Sequence, residues 1–113
     1  MGRGLRSDTA ERIALARQDS PLSMGPMFGE LATHFNISGG MVAALVNAHE
    51  QTVLRWFFGR SEMTPAWIKA SVKLFAVLTW MHTANKDPLS GSNREKTAQL
   101  ALYIKEFNEL ANI

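Results

Sequence analysis

A chain of 113 residues, 46% hydrophobic and 19% charged with no cysteine, has the length and composition of one globular domain. The missing cysteines exclude a disulfide scaffold, a thiol nucleophile and cysteine-ligated zinc. The net charge of +2, from 12 basic and 10 acidic residues, is compatible with a nucleic-acid partner without arguing for one. The arginines near the start are not followed by the apolar run of a signal peptide. The longest apolar stretches, within residues 74–81, fall far short of a membrane span, so a cytoplasmic protein is the expectation.

Residues 1–24 read as a basic arm. Arg3, Arg6, Arg12 and Arg17 lie there, opposed only by Asp8 and Glu11 within the first 17 residues. The DTAE pattern from Asp8 predicts a short helix with Ile13, Leu15 and Ala16 on its apolar side, ended at residues 18–21. Two readings stay open: a frayed terminus with one docking helix, or an arm whose arginines reach phosphates or a minor groove.

Gly25-Pro26 predicts the start of the next helix, with proline at the first position, where its missing N–H costs nothing. Phe28, Leu31, Ala32 and Phe35 then make one inward stripe, and Asn36 closes it. Ser38 caps a second helix, although Gly39-Gly40 weakens its first turn by roughly 1 kcal/mol per glycine. Val42, Ala43 and Val46 share a face there. Asn47, tolerant of a left-handed backbone, ends that helix, and a corner of about three residues leads to a third helix over residues 50–58. Val53 and Trp56 are its apolar underside. Two short helices joined so tightly must cross steeply, with small Ala43 allowing the approach, which is helix-turn-helix geometry.

Residues 59–63 form a linker carrying Arg60. Thr64-Pro65 reads as N-cap and first position of a long helix reaching about Thr83. Trp67, Leu74, Phe75, Leu78 and Met81 make one face, and Ile68, Val72, Val77 and Trp80 widen it almost all round. This helix is therefore either the centre of the core or a dimer seam. Lys69 and Lys73 are its only full charges, and both can face phosphates. Residues 85–91 read as a polar loop, Ser92 to Glu95 as a capping box, and Leu100, Tyr103, Ile104, Phe107 and Leu110 as the apolar face of a last helix. That face closes over the long helix or pairs with its mate in a dimer.

Without a gap, residues 31–59 resemble the DNA-binding core of the phage repressor and Cro family, the XRE family. The match lies in Ile37-Ser38 at the turn and N-cap, Val42-Ala43 and Val46 in the core, Thr52-Val53 and Arg55-Trp56 in the third helix, and the closing Gly59. The resemblance implies an all-α fold with a lambda-repressor-like helix-turn-helix core over residues 25–62. An N-terminal helical arm and two additional C-terminal helices, residues 63–113, would complete the core and dimerise. It places His49, Glu50, Gln51, Leu54 and Arg55 at the major groove of double-stranded DNA. The chemistry suits this: Gln51 can pair with adenine, Arg55 with guanine, Glu50 can accept from a cytosine amino group, and Leu54 can meet a thymine methyl. Ser38, Gly39, Arg60 and Lys69 are the phosphate candidates. Family members usually carry a phosphate-holding glutamine at position 39, where this chain has glycine. Phe57-Phe58 replaces a common charged pair, and these rings are expected to pack against the C-terminal half or a second subunit.

No constellation supports catalysis. His34, His49 and His82 lack the spacing of a helical metal pair, no glycine-rich phosphate loop is present, and the carboxylates are scattered singly. The expectation is a non-enzymatic, homodimeric transcriptional regulator without metal or cofactor. Two alternatives stand beside it: an antitoxin-like autoregulator that holds a toxin at Phe57, Phe58 and the C-terminal helix, and a protein-interaction module that has lost DNA binding.

Overall fold

Helix ends organise the chain. The computed structural model describes residues 21–112, and these form five helices and no strand. They are α1 (Pro21–His34), α2 (Gly39–Val46), α3 (Glu50–Phe57), α4 (Pro65–Thr83) and α5 (Asn93–Ala111). The first four stop alike, on a residue with positive φ just beyond the last turn: Asn36 at 64°, Asn47 at 62°, Gly59 at 69° and Asn85 at 57°. The following N–H then reaches back over the final turn. Ile37 donates to Ala32 O (2.8 Å), Ala48 to Ala43 O (2.8 Å), Arg60 to Arg55 O (2.8 Å) and Lys86 to Met81 O (2.9 Å). Glycine and asparagine tolerate the left-handed backbone this closure needs, and the bond satisfies a carbonyl that the helix leaves free.

The helix starts are equally local. Ser38 Oγ accepts from Met41 N–H, Thr64 Oγ1 from Trp67 N–H ahead of Pro65, and Ser92 with Glu95 completes a reciprocal capping box.

Helix α4 is the centre of the core, as its almost continuous apolar surface requires. Ile68, Leu74, Phe75, Val77, Leu78, Trp80 and Met81 are all buried. Helix α1 covers one side, with the Phe28 and Phe75 rings 5.9 Å apart, and α5 covers another, with Trp80 and Phe107 at 5.7 Å. The last helix thus closes over the long one within a single chain.

Three expectations change. Helix α1 begins at Pro21, not at Gly25-Pro26, so Pro26 lies inside it and removes one ladder donor. Residues 85–91 are not simply a polar loop: Leu89 is fully buried, its N–H donates to Phe35 O (3.1 Å), and Asn36 Nδ2 donates to its carbonyl (2.9 Å). Two further ties hold this segment against α5. The Gln99 amide makes two bonds to the Ser90 backbone, and Lys86 pairs with Glu106 at 3.0 Å beneath the Trp80 ring. Leu110, read as part of the inward face of α5, is half exposed. The basic arm and its short helix, read over residues 8–17, lie outside the described residues. No helix among those described is long and apolar enough to cross a membrane.

Candidate nucleic-acid interface

The candidate site is the surface built by α2, the three-residue corner 47–49 and α3. Its foundation is an unusually close contact between α3 and α1. A Cβ added to Gly25 would lie 2.9 Å from the Trp56 carbonyl carbon, and one added to Gly29 would lie 2.8 Å from Phe57 Cβ. Only glycine at these two positions, one turn apart on α1, lets the C-terminal half of α3 come so near. The sequence reading assigned neither glycine this role, and four-residue glycine spacing on the helix is the signal that carried it.

On that seat, Val53 and Trp56 turn inward and are fully buried. Trp56 also meets Trp67 at 5.5 Å, which ties α3 to the start of α4. His49, Glu50, Gln51 and Arg55 are all exposed. His49 occupies the N-cap position but makes no side-chain cap bond, and its imidazole has no hydrogen-bond partner among the described residues. Gln51 and Arg55 stand one turn apart on one edge, where helical neighbours present their ends together. Arg55 forms no ion pair among the described residues.

The neighbouring edge of α3 behaves differently. Leu54 does not stand free: it is half-buried, and it lies over Gly39, where an added Cβ would be 2.7 Å from its Cδ2. Glu50 leans the same way, with its carboxylate beside the first turn of α2. The polar start of α3 thus divides into an outward pair, Gln51 and Arg55, and a pair that roofs α2, Glu50 and Leu54.

The other candidates separate. Ser38 is exposed beside half-covered Gly39. Arg60 lies beyond the end of α3 with its guanidinium 5.9 Å from the Phe58 ring centroid, and Lys69 stands exposed on α4. Phe57 packs edge-on to Phe28 at 5.6 Å, so its partner is α1, not the C-terminal half, because the glycine face of α1 receives it. Phe58 finds no such cover and is 70% exposed. These rings, with Pro26, Gly29, Ile37 and Leu54, line an open groove of about 570 Å³ between α1 and α3.

The fold also joins two residues that chain spacing kept apart. The His34 and His82 rings, in the last turns of α1 and α4, lie 5.4 Å from each other beside a cleft of about 410 Å³. No group of three histidine, aspartate or glutamate residues among those described is placed to hold a metal. Compared with family models, curated proteins and solved structures, the chain matches none.

Proposed function

We propose that this chain is a sequence-specific, duplex-DNA-binding regulator that acts as a homodimer, with α2 and α3 as a helix-turn-helix and α3 entering the major groove. The observation that carries the reading is α3 itself. It is two turns long, buries Val53 and Trp56, and turns Gln51 and Arg55 outward on one edge. Those two side chains are the ones that pair bidentately with adenine and guanine. A helix of this size, fixed from beneath and uncommitted above, fits a groove about 12 Å wide. Arg60 and Lys69 serve as backbone contacts in this reading, and His49 donates to a phosphate at the edge. A single α3 reads only a half-site, so a symmetric partner supplies the other. Occupying a promoter is then sufficient for repression.

The test is fluorescence anisotropy on the DNA upstream of the protein's own gene, against a scrambled duplex, at several salt concentrations. The expected result is tighter binding to the upstream DNA that weakens steeply with salt. Equal, salt-insensitive binding to both duplexes would overturn the proposal.

A second reading, the interaction module or antitoxin-like holder of a partner protein, is favoured by one observation. Phe58 is 70% exposed at the mouth of an apolar groove, where a DNA-binding face gains nothing from it. Salt separates the two, since apolar association does not weaken as counterions are added.

A further inference from the structure

We infer that Glu50 withholds the first turn of α2 from the DNA backbone, so that this chain gains discrimination from Gln51 and Arg55 and little affinity from a phosphate at that turn. This rests on the DNA-binding reading above.

Helix α2 opens with two glycines after its Ser38 cap. The Met41 N–H is taken by Ser38 Oγ at 3.2 Å, whereas the Gly39 and Gly40 N–H groups have no acceptor among the described residues. Bare donors at a helix start, with no side chain in front of them, are what a phosphate binds most readily. Here two side chains of α3 lie beside that half-exposed turn. The Glu50 carboxylate carbon and its two oxygens lie 3.6, 3.6 and 3.7 Å from the point where a Cβ on Gly40 would sit. One turn further along the same edge, Leu54 covers Gly39. The roof over the glycine pair therefore has one negative end and one hydrocarbon end.

A carboxylate beside a helix N-terminus is held there by the partial positive charge of that terminus. An arriving phosphate meets a like charge already in place and, next to it, a leucine that offers no hydrogen bond. At position 39 an added Cβ would lie 2.7 Å from Leu54 Cδ2, so a side chain there requires Leu54 to move.

The test uses the full chain, wild type and Glu50→Gln, with two probes. In the first, sulfate is titrated while the Gly39 and Gly40 amide signals are followed by NMR, with no DNA present. Those signals are expected to move in Glu50→Gln at sulfate concentrations that leave the wild type unchanged. In the second, a random-sequence duplex is titrated between 50 and 200 mM salt. Gaining one phosphate contact steepens the dependence of log affinity on log salt by about 0.9, so Glu50→Gln loses about 3.5-fold more affinity than wild type over that range. Glu109→Gln on α5, with the same charge change, controls for net charge and keeps the wild-type slope. Amides that respond alike in both proteins, or a Glu50→Gln slope equal to that of Glu109→Gln, would overturn the inference. If neither protein binds duplex at 50 mM salt, the DNA-binding reading fails, and the sulfate arm still decides whether Glu50 guards this turn.

Discussion

Replacing Gly25 with alanine adds one methyl group to α1 at its closest approach to α3. At a free helix position the change stabilises by up to about 1 kcal/mol, because alanine loses less conformational freedom than glycine. At Gly25 the methyl meets backbone: it would lie 2.9 Å from the Trp56 carbonyl carbon, 3.2 Å from its Cα and nearer still to its oxygen. A backbone obstacle has no other rotamer, so α3 must lift from α1, loosening Trp56 and the 5.6 Å contact of Phe57 with Phe28. Overpacking of a core costs about 1–3 kcal/mol, and a backbone clash belongs at the upper end. Net of the propensity gain, Gly25→Ala destabilises by about 2 kcal/mol. For a domain near 100 residues that lowers Tm by about 8–16 °C. Gly40→Ala is the internal comparison. Its methyl meets the Glu50 carboxylate at 3.6 Å, an ordinary contact, so only the propensity gain remains and Tm rises by about 2–8 °C. Thermal melts followed by circular dichroism at 222 nm read both. A Gly25→Ala protein that melts at or above wild type would refute the close packing of α3 on α1 as the foundation of the site.

Three further outcomes are expected. Arg55→Ala removes a bidentate base contact and weakens binding to the preferred duplex by about 1–3 kcal/mol in an anisotropy titration; unchanged affinity would remove α3 as the reading helix. Leu89→Ala leaves a cavity where the side chain is fully buried, and a urea titration should show a loss of about 3 kcal/mol; a midpoint equal to wild type would show that this loop is not part of the core. The third concerns acid. The Ser92 backbone N–H donates to the Glu95 carboxylate and, together with the Ser92 side chain, holds its pKa below the ordinary value. A pKa lowered in the folded state means that the capping box stabilises α5 above the unfolded value and loses that contribution as pH falls through the folded one. Wild type should therefore lose more stability between neutral and acidic pH than Glu95→Gln, whose amide still accepts the bond, and equal losses in urea titrations would contradict the assignment.

What the amino-acid sequence determines by itself is where the helices stop and most of where they start. Asn36 and Asn47 were readable as stops because a left-handed backbone is a property of single residues. Ser38, Thr64 and Ser92 were readable as caps because a hydroxyl reaches an N–H only three residues on. The central place of α4 was readable too, since apolar residues almost all round a helix must be covered on more than one side. Tertiary structure decided the rest. Pro26 had the chemistry of a helix start, yet it lies inside α1, whose Gly25 and Gly29 are pressed against α3. Leu89 sat among polar loop residues and became core because the segment returns to Phe35 and Asn36. Leu54 and Glu50 have the spacing of outward residues of α3, yet the crossing of α2 and α3 turns that edge of the helix toward Gly39 and Gly40. His34 and His82 meet only because α1 and α4 pack together at those ends. Caps and turns act over three to five residues, so neighbouring letters encode them. Which edge of a helix a partner covers depends on approach distance and crossing, which residues far apart in the chain set together.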